Sequence, residues 1–222
     1  MHITSDANAK VLEHLLRERH SCRGFRPDAV DDAVITRILG MAQMTPSWCN
    51  TQPWQVIVTR GAATGRFRDA LLAHLDDPRQ PDIAFPARYD GVYGVRRRTS
   101  GFQLYAAVGI ERGDREGSAR QARENFRLFG APHVAIVTTN AMLGTYGAVD
   151  CGGYVTSFML AAQALGVTSI AQASLASLSP FVRTHFDIPP DRLILCGISF
   201  GYEDAVHPAN AFRTERAVAC PA

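Results

Sequence analysis

Lysine is nearly absent from this chain. Among its 23 lysines and arginines only Lys10 is a lysine. No glycine pair is therefore followed by the lysine of a G-x-x-x-x-G-K-[ST] phosphate loop, and that class of nucleotide site is excluded. Lys10 alone could form a pyridoxal-phosphate Schiff base, and it stands in an exposed-looking N-terminal stretch that suits none. The five cysteines (Cys22, Cys49, Cys151, Cys196, Cys220) are odd in number and never spaced C-x-x-C. That argues against a disulfide framework or zinc knuckle and for separate reduced thiols. The histidines form no H-E-x-x-H and no compact ligand group, so no metal is expected. No apolar run reaches the length of a membrane span, and M-H-I-T-S-D lacks the basic-then-apolar order of a signal peptide. A soluble, cytoplasmic protein is the expectation. The net charge of +2 gives no electrostatic reason for nucleic acid or a membrane as partner.

What is present suits one globular domain spanning 1–222, with 46% apolar and 20% charged residues. Val11, Leu12, Leu15 and Leu16 recur with helical spacing behind Ser5 or Asp6 as N-cap. Val34, Ile35, Ile38, Leu39 and Ala42 predict a second helix after Asp31 that must end before Pro46. WQVIVTR (54–60), HVAIVTT (133–139) and LILCGISFGY (193–202) read as buried strands. YVTSFMLAAQALG (154–166) is apolar nearly all round and ends at a glycine, as a core or interface helix would. The stretch 78–102, with Arg96, Arg97 and Arg98 among glycines and prolines, reads as a mobile excursion. The tail 203–222 has too little periodicity to fold alone and must pack on something. Helices interleaved with strands around one sheet give an α/β or α+β sandwich.

Two motifs invite chemistry. GISFG (197–201) matches the G-x-S-x-G nucleophile elbow in form, but no helical pattern follows Ser199, and Asp204 and His207 lie too near to complete a triad. A strand with small residues is the better reading. RERHSCRGF (17–25) crowds Arg17, Arg19 and Arg23 around Ser21 where the first helix pattern ends, and Arg213 and Arg216 flank Thr214 near the C-terminus. Each pair alone suits a solvated basic face. Guanidiniums beside a hydroxyl are also what a phosphate requires, because the planar fork donates bidentately.

The order R-H-S-C-R-G-F (19–25), then P-S-W-C-N-T-Q-P-W (46–54), then the basic C-terminal pair resembles the nitroreductase family of FMN-dependent oxidoreductases. The likeness continues through NFRLFGAPHVAIV, AQASLA, ILCGISFGYED and HPANAFRTERA, and is most like the nitrobenzoate-reductase-like branch. It implies an α+β fold, an α/β/α sandwich whose central sheet is mixed but largely antiparallel, with the C-terminal tail exchanged between subunits of a homodimer. It further implies FMN as cofactor, NAD(P)H as electron donor, and ping-pong two-electron reduction of a nitroaromatic, including an acid of nitrobenzoate type. Arg19, His20, Ser21 and Arg23 would hold phosphate and ribityl chain, with Arg213 and Arg216. Pro46, Ser47 and Asn50 would close over the flavin from the second subunit, Asn50 and Gln52 would offer their amides to a ring edge or ribityl hydroxyl, and Trp48 would turn a flat face to the cofactor pocket or to the dimer interface.

In SIAQASLA (169–176) the chain departs from the P-I-E-G-F form of some relatives. Gln172, Ala173 and Ser174 still belong to the cofactor set, with the backbone N–H of Ala173 or Ser174 as the donor to flavin N5. Tyr93, Arg96 and Phe102, together with Trp48, are the substrate candidates, an arginine of 88–98 serving as clamp for a carboxylate. No side chain stands out as a dedicated acid or base. Quinones, enones or halogenated aromatics as acceptors, and a non-catalytic FMN-binding protein, are the alternatives.

Overall fold

The computed structural model describes residues 5–218. Its centre is the strand β2, His133–Asn140, buried along almost its whole length. Successive β-strand side chains point to opposite faces, and here they enter two different cores. Val134 and Ile136 join Phe67, Leu71, Leu175 and Val182 on one side. Ala135 and Val137 join Ile35, Ile38, Tyr154 and Phe158 on the other. The sandwich expected from the sequence follows from that alternation. β1 (Gln55–Val58), β3 (Thr168–Gln172) and β4 (Arg192–Gly201) complete a sheet of order β1-β2-β4-β3, every ladder antiparallel. The parallel component of the expected mixed sheet is reduced, among the described residues, to the single bridge Ser21–Ser169.

α1 (Ser5–Glu18) takes both proposed N-cap residues, Ser5 and Asp6, inside the helix. α2 (Asp32–Ala42) begins as expected, the Asp31 carboxylate accepting from Ala33 N–H at 2.7 Å. Between β1 and β2 lie three helices that periodicity did not reveal: α3 (Ala62–Ala73), α4 (Gly91–Ala107) and α5 (Arg115–Arg123). α4 occupies half of the stretch read as an excursion. Three glycines and three consecutive arginines hide its helical pattern in the sequence, since neither type marks an apolar face. The segment before it is rooted, with Gln80 N–H donating to Ser177 O at 2.9 Å and the Asp82 carboxylate accepting from Arg183 at 2.6 Å and Ile194 N–H at 2.7 Å.

α6 (Gly144–Ala164) starts ten residues earlier than the apolar run suggested, because its first turns carry glycines and an aspartate. It ends where expected, with Gly166 at φ +73°. Phe158 is fully buried in it, and truncating such a side chain to alanine costs about 3–5 kcal/mol. α7 (Ser179–Phe186) closes the opposite face. The tail packs on its own chain: Asn210 accepts from Arg23 N–H at 2.7 Å and donates to Gly24 O at 2.9 Å. Up to Arg216 it thus meets the Arg19–Arg23 turn within the same chain. No described helix is long and apolar enough to cross a membrane.

Candidate active site

Beyond α1 the chain runs extended, tied by Cys22 N–H to Ser169 O at 3.3 Å and by a bridge between Phe25 and Glu203. Extended backbone alternates its side chains. Cys22 turns into the core, while Arg19, Ser21 and Arg23 line a cavity of about 360 Å³ that the tail closes with Phe212, Arg213 and Arg216. Arg17 lines it too. Among the described residues none of these five arginines has a carboxylate within 4.0 Å. Three of them donate to nearby neutral oxygens: Arg213 to Asn210 O at 2.7 Å, Arg23 to Ser21 O at 3.2 Å, and Arg216 to the Thr214 hydroxyl at 2.8 Å. Burial, and next the charge of Arg216, lowers the pKa of Arg19; burial lowers that of Arg23. Crowded guanidiniums without a carboxylate of their own among the described residues are a site poised for an anion. His20 lines the same cavity, its ring held between Glu18 O and the Glu203 carboxylate, each at 3.1 Å.

Arg23 also borders a second cavity, of about 290 Å³, lined by Tyr105, Asn125, Gln172, Ala173 and Ser174. Ala173 and Ser174 open a short 3-10 turn, so their N–H groups have no acceptor within that turn. The Gln172 side chain does not share this freedom. Its amide donates to Asn125 O at 2.8 Å and accepts from the Ser199 hydroxyl, joining β3 to β4. Ser199 is wholly buried in β4 and spends its proton there, so GISFG is the strand the sequence reading preferred.

The loop 46–53 departs most from ordinary backbone. Cys49, Asn50 and Gln52 all have positive φ (52°, 54° and 46°) without being glycine, a conformation costing roughly 1–3 kcal/mol per residue. Several bonds hold it. Ser47 Oγ accepts from Gln52 N–H at 2.9 Å, the Asp150 carboxylate from Trp48 N–H at 3.1 Å, and Pro53 O from buried Arg192 at 2.8 Å. The Gln52 amide is engaged at both ends, by Gln43 at 3.0 Å and by Asn50 O at 3.2 Å. Asn50 makes no side-chain hydrogen bond among the described residues and faces solvent. Trp48 is 61% exposed and packs against Tyr146 at 4.5 Å between ring centres, whereas Trp54 opens β1 from the core as expected.

The structure therefore unites Arg19, His20, Ser21, Arg23, Arg213 and Arg216, and places Gln172, Ala173 and Ser174 on an adjoining cavity. It does not bring Pro46–Gln52 to either: Trp48 and Cys49 line a separate cavity with Tyr146 and Asp150. Tyr93, Arg96 and Phe102 lie on α4, Tyr93 and Phe102 being 68% and 51% exposed. Of the arginines in 88–98, Arg88 pairs with Asp90 at 2.7 Å and Arg97 lies over the Tyr89 ring. Arg96 instead lines a cavity with Ser100, Gln103 and Arg216. Sequence reading left out Gln43 and Arg192. No local signal marks either, since their partners lie on other elements.

Against this geometry stand four likenesses. A profile of the Nitroreductase family matches residues 16–202. Nitroreductase NfnB of Mycolicibacterium smegmatis is 37% identical over 94% of this chain and 90% of its own length. The 4-nitrobenzoate reductase of a Nocardioides species is 32% identical over 93% and 86%. The crystal structure of the FMN-dependent nitroreductase NfnB from Mycobacterium smegmatis in complex with NADPH superposes with a TM-score of 0.90, at 36% identity, over 95% of this chain and 96% of that one.

Proposed function

The chain belongs to the nitroreductase family, and from that premise we propose that it is an FMN-dependent oxidoreductase that passes electrons from NAD(P)H to nitroaromatic compounds. The observation that carries this reading is the cavity lined by five arginines with no carboxylate partner among the described residues. The residues present fit FMN. Arg19, Arg23, Arg213 and Arg216 with Ser21 would take the phosphate, each charge-assisted bond contributing about 1.5–3 kcal/mol. His20, fixed by Glu203, would lie along the ribityl side. The free N–H groups of Ala173 and Ser174 would face the ring, where a fixed dipole lowers the cost of added electron density.

Bound FMN supplies the two-electron chemistry that no side chain here possesses. The protein's part is binding, orientation and exclusion of water. Asn50, with its unspent amide, is the member of loop 46–53 that would touch the cofactor. Gln52 supports the loop from within.

That loop and the basic cavity are apart in one chain, and this supports a homodimer in which each subunit lends its loop to the other's site. Exposed apolar side chains support the same assembly: Leu12 and Leu16 on α1, Tyr146 and Val149 on α6, Met44 and Trp48 between α2 and β1. Arg96 is the clamp for an acceptor carrying a carboxylate.

The test is direct. Purified protein should be yellow, release FMN on denaturation, lose its flavin colour with NADPH or NADH under argon, and regain it on adding 4-nitrobenzoate. Adenine in the released cofactor, or a colourless protein that ignores added FMN, would contradict the reading. A bound flavin that NAD(P)H does not reduce would leave a binding protein.

A further inference from the structure

The indole N–H of Trp54 can only donate. It meets Gln43 Oε1 at 2.9 Å, which fixes the otherwise ambiguous amide of Gln43 with its nitrogen facing away. That nitrogen donates to Gln52 Oε1 at 3.0 Å, so the Gln52 amide is fixed in turn, and its nitrogen donates to Asn50 O at 3.2 Å. The three bonds form a relay with one polarity. It starts in the core, where Trp54 is 7% exposed and stacked on Tyr154 at 5.1 Å. It ends on the carbonyl of a residue held at φ 54°.

We propose that Gln43 is a positioning residue that transmits the rigidity of the core to Asn50 and so holds the strained loop in the form that meets the cofactor. Fixing the Asn50 carbonyl fixes its ψ, and with φ already set, the direction of its side chain. The proposal rests on the reading of loop 46–53 as part of the flavin site. Gln43 itself is exposed and does not line the basic cavity, and its tie to the core is the bond from Trp54. Its effect passes through Gln52.

Two substitutions separate this role from a structural one. Gln43→Met removes both bonds and adds no charge. Gln43→Glu still accepts from the indole but offers Gln52 Oε1 no donor, so the Gln52 amide must turn and set its oxygen against Asn50 O. Gln43→Glu keeps the acceptor for the indole and should melt at the parent temperature, Gln43→Met leaves the Trp54 N–H bare and should melt lower, and both should keep FMN.

Two readouts should move. Alkylation of exposed Cys49, followed on its own peptide by mass spectrometry in flavin-free protein, should quicken about three- to tenfold, the equivalent of one lost hydrogen bond. With FMN restored, kcat for NADPH and 4-nitrobenzoate should fall by a similar factor, more for Gln43→Glu than for Gln43→Met. Unchanged Cys49 labelling and kcat in FMN-loaded variants would overturn the relay alone. Altered labelling with unchanged kcat would overturn its role in the reaction. A parent protein that takes up no FMN would overturn the flavin reading, and the proposal with it.

Discussion

The guanidinium of Arg192 donates to the carbonyl of Pro53 at 2.8 Å, reaching from the start of β4 across β2 to the end of the strained loop. On the way it also donates to Thr138, to the hydroxyl at 2.8 Å and the carbonyl at 3.0 Å. Arg192 is 8% exposed and has no carboxylate partner among the described residues. β2 and β4 slip register beside it, between Val137 and Thr138, and such a bulge leaves a carbonyl in want of a donor. A single buried cation thus joins two strands, β2 and β4, to the loop.

Arg192→Met should therefore cost stability. Bare buried acceptors cost about 1–3 kcal/mol each, and two carbonyls are exposed to that loss, so roughly 2–6 kcal/mol is expected in urea unfolding. Arg192→Lys, which cannot reach Pro53 and Thr138 together, should lose about half as much. A Met variant as stable as the parent would remove the cross-sheet role.

The basic cavity makes a prediction with two signs. Arg216→Ala should weaken FMN by one to two decades, the equivalent of about 1.5–3 kcal/mol. It should leave the flavin-free protein no less stable, because the charge of Arg216 disfavours the Arg19 cation. Isothermal titration with FMN and melting of apo-protein measure the two halves. Normal FMN affinity in both Arg19→Ala and Arg216→Ala would disprove the clamp.

Asn50 should separate binding from chemistry. Asn50→Asp keeps the shape and sets a negative charge beside a ring that gains negative charge on reduction. FMN occupancy should hold near the parent's, the flavin potential should fall, and bleaching by NAD(P)H in single-turnover mixing should slow. A variant reduced as fast as the parent would take Asn50 out of contact with the ring.

Alkaline pH should destabilise the fold through groups far from the cavity. Burial pushes the Cys151 thiol up to about 11 and the Cys196 thiol up to about 12 from an ordinary 9.0, and Tyr154 up to about 12 from 10.0. The unfolded chain thus releases these protons first. Their contribution is fully present below pH 9 and is lost as pH rises toward 11–12. Urea unfolding at pH 8, 9.5 and 10.5 should show the decline, and Cys151→Ala should flatten it. Stability independent of pH over that range would refute the assignment.

The sequence by itself determined the elements whose information is local. A short run of β-branched and apolar residues specified β2, Asp31 capped α2, and Gly166 ended α6, because such runs and caps act over a few residues. It also determined the cofactor-binding candidates as residue types, since arginines beside Ser21 and near the C-terminus state their charge wherever the fold puts them. α3, α4 and α5 were not legible. Arg96–Arg98 and the glycines of α4 break the apolar stripe, and what holds α4 in place is its surroundings, not its pattern.

Only the tertiary structure decided which distant residues became neighbours. Asn210 draws the tail onto Arg23, Ser199 commits the Gln172 amide, and Arg192 finds Pro53. Gln43 and Gln52 are nine residues apart, yet their contact depends on three positive φ values that no amino-acid type there announces. Hydrogen bonds are directional and short. They exist only once burial of the two cores has fixed the sheet, and no residue carries that arrangement in its own sequence neighbourhood.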